Sequence, residues 1–200
     1  MNIKDYISNK IKNLECKNLY IPDIELDPET IKVIMISEVP HENPNEGFYS
    51  KNHNAEYMIS TRSLFEEAGI KIENFNDLIN LGIYITTAVK TPKSGYNVNT
   101  SLIDEHLPIL EAEIELFKNL KVIMLMGDVA KKAVNKIVKS KTKKNVIPAE
   151  STYKIRHNEY YWNNIKVFPS YILTGGNILI EKSKRAMISS DIRNMIDIIK

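Results

Sequence analysis

Cysteine is almost absent from this chain: Cys16 is the only one in 200 residues. A single thiol excludes an internal disulfide, a zinc ribbon and a four-cysteine iron–sulfur cluster. An excess of one charge is missing too, since 27 Lys and Arg stand against 25 Asp and Glu, a net of +2. Charge alone therefore does not identify a polyanion binder, although a local basic strip can sit on a neutral whole. No apolar run approaches the roughly 18 residues of a membrane span. The N-terminal text MNIKDYISNKIKN alternates charge with apolar residues and lacks the core of a signal peptide. Signature motifs are equally scarce. There is no G-x-G-x-x-G after a strand, no G-x-x-x-x-G-K-S/T and no G-x-S-x-G, which removes dinucleotide, P-loop and serine-elbow chemistry. The four histidines, His41, His53, His106 and His157, form no i, i+4 pair and no ligand cluster. The expectation is a cytoplasmic, reducing-compartment monomer with no membrane partner, no metal and no cofactor.

What the chain does contain is a globular composition, 43% hydrophobic and 26% charged, long enough to bury a core without a metal or disulfide. We expect one domain over residues 1–200, with residues 1–30 as an N-terminal helical extension. Four short apolar runs, Val33 to Ile36, Ile83 to Val89, Val122 to Met126 and Ile165 to Phe168, read as buried strands. Ile103, Leu107, Leu110, Ile114 and Phe117 step by four, three, four and three along one helix face. Ser101 with Asp104 reads as its capping signal, and Pro108 predicts a kink or a start nearer Leu107. A second helix is expected from Asp128 to about Lys139, and a third on Ile188, Ile192, Met195 and Ile199. Tyr153 to Ile165 reads as a hairpin. The five lysines between Lys136 and Lys144 read as a solvated helix end and loop. Strand alternating with helix predicts a three-layer α/β/α fold around a central, mostly parallel four-stranded sheet.

In such a sheet ligands collect outside the carboxyl ends of the strands. Four loops follow: Ser37 to Tyr49, Thr86 to Asn97, Met126 to Ala130 and Pro169 to Asn177. Together they bring a carboxylate, a helix start, several aromatics and a Gly-Gly tip to one crevice. His41, in the first of them, is the one histidine with a claim to a functional role.

The order of these loops resembles the uracil-DNA glycosylase superfamily over about residues 31 to 199. That family runs a strand into G-E/Q-x-P and a Gly–aromatic segment, then a strand ending near Asn with V-K. A Leu-rich helix, a strand ending in L-G-x-x-A, and a strand leading to H-P-S complete the pattern. The corresponding text is IMISEVPHENPNEGFY, IYITTAVKTP, LPILEAEIELFKNLKVIMLMGDVAKKA and VFPSYILTGG. The chain is nearest the iron–sulfur branch, without its cluster cysteines. The resemblance implies excision of a flipped uracil or other deaminated base from DNA. It makes Glu38 the acid beside the sugar cation, with His41 as a second catalytic candidate. Phe48, or Tyr49 in its place, is the implied stacking ring, and Val39, Pro40 and Thr87 complete the base site. Lys90, Gly127, Ser170, Tyr171, Leu173, Thr174 and Gly175 are the implied nucleic-acid contacts.

Two departures carry consequences. Thr87 stands where the family has the Asn that reads the base edge, and loss of a bidentate contact costs about 1–3 kcal/mol of discrimination. Ile172 stands at the motif His, and a missing donor to the leaving base costs about 2.7–4 kcal/mol. Ser37 and His41 also replace family glycines, and Val39 fills a site where some branches keep Asp. Three readings stay open: a base glycosylase, a non-catalytic nucleic-acid or nucleotide binder of the same fold, and an unrelated α/β regulator or flavin module.

Overall fold

The computed structural model describes residues 1–11, 19–95, 97–175, 178 and 181–200; Cys16, Tyr96, Gly176 and Asn177 lie outside the described residues. Four strands run parallel: β1 (Val33–Ser37), β2 (Ile83–Thr87), β3 (Val122–Met126) and β5 (Ile165–Ser170). A short β4 (Tyr161–Trp162) adds an antiparallel edge, so the sheet has five strands in the order β2-β1-β3-β5-β4. The strands lie where the apolar runs place them because those residues are buried on both faces, which only a parallel sheet covered by helices demands. Ala88 and Val89 continue the second run past β2 as amide donors to the carbonyls of Ser37 and Glu38.

Alternation along each strand feeds two cores. Ile34, Ile36, Tyr84, Ile123 and Leu125 face α1 (Ile3–Lys10), α4 (Thr100–Leu116) and α5 (Asp128–Thr142). Val33, Met35, Ile83, Ile85 and Met124 face α2 (Glu56–Glu67), α3 (Phe75–Asn80) and α7 (Lys182–Ile199). The architecture is therefore three-layered α/β/α. The chain leaves β1 toward β2 and later returns to β1's other side as β3, so the order reverses at β1 and the ends of β1 and β3 flank the switch point.

Several local expectations are corrected. The sequence pattern named no helix between β1 and β2, yet α2 and α3 fill that connection; Asn74 and Asp77 close a capping box on α3. α4 starts before Leu107 and is continuous through Pro108, because burial of Ile103, Ile109, Leu110 and Ile114 outweighs the lost backbone bond, about 3 kcal/mol. Ser101 and Asp104 do not cap it: the N-cap is Asn99, and Asp104 instead takes Lys136 of α5 at 2.6 Å. The Tyr153 to Ile165 hairpin is shorter than expected, its first part being the helical turn α6 (Thr152–Ile155). In the lysine-rich run, Lys141 also pairs with α4, at Glu111 and Glu115, so these charges bind two helices at the surface.

Gly82 shows how the edge of the sheet is set. It enters β2 at φ +79°, and a Cβ there would stand 2.8 Å from the Thr30 carbonyl oxygen. Gly69, at φ +84°, has nothing within 4 Å of that position. Gly82→Ala is expected to cost about 1–2 kcal/mol more than Gly69→Ala in urea unfolding; equal midpoints for the two variants would contradict the close approach.

Candidate functional site

The loops at the carboxyl ends of the strands enclose two adjoining cavities. The first, about 500 Å³, lies over β1 and β2 and is lined by Pro40, His41, Phe48, Tyr49, Ile85, Thr86 and Thr87. Pro44, Gly47 and Lys51 continue that wall, and Tyr20, Ile21, Pro22 and Asp23 form another. The second, about 600 Å³, lies over β1, β3 and β5, with Glu38, Gly127, Asp128, Tyr171, Ile172, Thr174 and Gly175 on its lining.

Short-range polar chemistry shapes the loop after β1. Asn43 accepts from the Asn45 amide at 3.0 Å, Ser50 donates to the Asn45 carbonyl at 2.6 Å, and Asn52 accepts from the Asn54 amide at 3.0 Å. Glu46 then accepts from the Glu56 amide at 2.7 Å and satisfies the start of α2, whose own N-cap Ala55 has no side-chain acceptor. This ladder presents the aromatics. Phe48 packs at 4.9 Å on Tyr57 and edge-on at 5.7 Å against Phe75. Tyr49 takes a left-handed φ of 60°, and its hydroxyl accepts from the Ile85 amide at 2.8 Å. That bond covers an N–H on the open edge of β2, and burial pushes the Tyr49 hydroxyl pKa well up. His41 is held edge-on to Tyr57 at 5.2 Å. Its Nδ1 accepts from the Asn43 amide at 2.9 Å, and its Nε2 lies 3.3 Å from Glu56, so both ring nitrogens are engaged within the loop.

Glu38 belongs to the second cavity. Its Oε1 accepts the Val129 amide at 3.0 Å, capping the first turn of α5, and this is the side chain's only hydrogen bond among the described residues. The approach requires Gly127, at φ +102°: a Cβ there would meet Glu38 Oε1 at 2.5 Å and Ile172 Cγ1 at 2.8 Å. Ile172 and the Glu38 carboxylate thus both stand against Gly127. Val39, expected at the base, lines neither cavity and packs on the α4–α5 core instead. The turn from Glu38 to His41 is the partition between the two spaces.

Three expected nucleic-acid contacts are corrected, because each is buried. Ser170 donates to Asp191 at 2.7 Å, and Asp191 also holds Arg156 at 2.6 Å; burial raises the Asp191 pKa against those two partners. Leu173 is a core anchor, fully enclosed by the α2–α7 side. Lys90 is wholly buried. Its ammonium donates to Thr86 Oγ1 at 2.6 Å, the Thr87 carbonyl at 2.7 Å and Glu113 at 2.6 Å. Glu113 also accepts from Tyr84 at 2.6 Å and Thr86 at 2.9 Å. Burial lowers the Lys90 pKa and Glu113 opposes it, while burial and the Glu113 charge drive the Tyr84 hydroxyl well up. This satisfied network is the underside of the first cavity's floor. Its one sequence signal is Glu113 itself, a charge on the apolar face of α4. Nothing in the sequence pattern pointed to Tyr20–Asp23 or Glu56. Among the described residues no group of three or more His, Cys, Asp or Glu could hold a metal ion, and no helix is long and apolar enough to cross a membrane.

Two outcomes follow from the floor. Lys90→Met leaves Glu113 charged and buried without its cation, and is expected to cost about 3–5 kcal/mol in urea unfolding. Lys90→Met with Glu113→Leu should recover part of that loss, the remainder reflecting the Tyr84 and Thr86 hydroxyls left without their acceptor. His106, also buried, has its pKa lowered from 6.5 by burial and by Lys90, with the Leu102 carbonyl and Glu105 opposing. Below pH 6.5 the unfolded chain takes up a proton that the folded state refuses, so stability falls on acidification through that value. His106→Leu should flatten this acid-side slope in unfolding measured from pH 7.5 to 5.

Comparison with known proteins now bears on these cavities. No curated protein matches the chain. The model of the Uracil DNA glycosylase superfamily matches residues 25–192, spanning every strand and both cavities' loops after β1, β2, β3 and β5. On that match, which takes in most of the chain, the protein belongs to the uracil-DNA glycosylase superfamily.

Proposed function

We propose that the protein is a DNA base glycosylase that hydrolyses the N-glycosidic bond of a flipped, deaminated base, and that it does so slowly. The carrying observation is the arrangement around the Glu38–His41 turn: Pro40, His41, Phe48, Tyr49 and Thr87 line one cavity, and Glu38 lines the next. A base stacked on Phe48 reaches Thr87, whose hydroxyl both donates and accepts at the pairing edge. The glycosidic bond then crosses the turn, with the sugar on the Glu38 side.

The bond breaks with its electron pair leaving on the base nitrogen, and a cationic sugar remains. Glu38, held at one oxygen by the α5 amide, offers the other to the cation and to water. Water bonds to C1′ and its proton passes to the carboxylate, while the departing base is protonated from solvent. Charge development on the base lacks a donor at Ile172, which accounts for a slow step. The DNA lies across the second cavity at Gly127, Tyr171, Thr174 and Gly175. The second reading, a binder without catalysis, rests on a specific observation as well: Glu38 caps Val129 and both His41 nitrogens are engaged.

Single-stranded oligonucleotides bearing uracil, hypoxanthine or xanthine, incubated with protein and then treated with alkali, separate the two. Cleavage of at least one substrate is expected, with Glu38→Gln reducing it on the order of a hundredfold or more. Phe48→Ala should lower kcat/KM by about fivefold or more through lost stacking. No cleavage on any of the three substrates removes the enzyme, and salt-sensitive retention of the same oligonucleotides would then establish the binder.

A further inference from the structure

The family match begins at residue 25, yet Tyr20, Ile21, Pro22 and Asp23 form a wall of the first cavity. This wall lies outside the residues that the family model matches. Pro22 keeps Ile21 extended, so the segment runs as a strap rather than folding into a turn. Two hydrogen bonds span the cavity mouth from Tyr20. Its amide donates to the Lys90 carbonyl at 2.7 Å, beyond the end of β2, and its hydroxyl donates to the Glu42 carbonyl at 3.4 Å, in the loop after β1. The strap is also anchored behind. The Ile3 amide donates to Ile24 at 3.1 Å, the Met1 ammonium donates to the Leu26 carbonyl at 2.7 Å, and Asn2 donates to Asp23 at 2.9 Å. Ile3 and Ile7 of α1 are buried, with α1 packed on α4.

We propose that Tyr20 is a specificity-determining residue: the N-terminal strap clamps a flipped nucleobase in the first cavity, with Tyr20 supplying an aromatic wall in addition to Phe48. This rests on the first cavity being the base site. Thr87, with one hydroxyl, is a poorer reader of a base edge than an amide, so shape and aromatic contact carry much of the discrimination. A strap tied to both loops limits the size of base the cavity admits and holds it over Thr87.

The test is fluorescence anisotropy on labelled single-stranded oligonucleotides carrying one uracil, one hypoxanthine or, as the reference, one tetrahydrofuran abasic site. The wild type should bind a base-bearing strand more tightly than the abasic one. Tyr20→Ala should reduce that difference by about fivefold or more, with abasic binding unchanged and the fold retained in urea unfolding, because Tyr20 is only half-buried and its amide bond to Lys90 survives the substitution. Tyr20→Phe, which keeps the ring and loses only the long bond to Glu42, should behave as wild type. If Phe48→Ala abolishes the preference while Tyr20→Ala leaves it intact, the clamp is wrong and the base site stands. A wild type with no preference for base over abasic strand overturns both.

Discussion

Lys90 is the point from which the upper edge of this molecule is built. An ammonium without water requires a counter-charge and a full set of acceptors, and Glu113, Thr86 and the Thr87 carbonyl supply them. That demand ties α4 to the end of β2 and sets the height of Thr86 and Thr87, the floor of the first cavity. The Lys90 carbonyl faces the other way and receives the Tyr20 amide. One residue therefore holds floor and strap together. A lysine in V-K after a strand reads as a phosphate contact only until its burial is known.

A second constraint operates at the switch point. Gly127 permits the Glu38 carboxylate to reach the Val129 amide, where a helix N-terminus favours an acceptor. The same approach puts Glu38 across the Glu38–His41 turn from the aromatics. Acid and stacking surface thus sit in different cavities separated by one tight turn. On the function proposed above, this division places the base at one end of the scissile bond and the sugar at the other. Tyr57 stands behind the first cavity, where it packs on His41 and Phe48.

The four long strands and the helices α4, α5 and α7 were legible because burial on both faces leaves continuous Ile, Val and Met runs, and one-sided burial leaves a period near 3.6. The family motifs were legible for the same reason, being strand ends with fixed loop chemistry. α2 was not: its N-terminus is capped by Glu46 from the preceding loop, and its modest apolar face carries Ser60 and Thr61 among the buried positions. The segment from Tyr153 alternates in sequence, yet only Tyr161–Trp162 pairs with β5, and Thr152–Ile155 winds into a helical turn instead.

Sequence by itself determined the layer order, the identity of the loops at the carboxyl edge and the family to which they belong, since these follow from periodicity and from local turn chemistry. Tertiary structure alone decided that Lys90, Ser170 and Leu173 are interior, that Glu38 stands apart from the aromatic cavity, and that Tyr20 lines it. The reason is physical: whether a charged or polar side chain faces water or a partner depends on groups many residues away, such as Glu113, Asp191 and the Val129 amide, and no local pattern encodes that meeting.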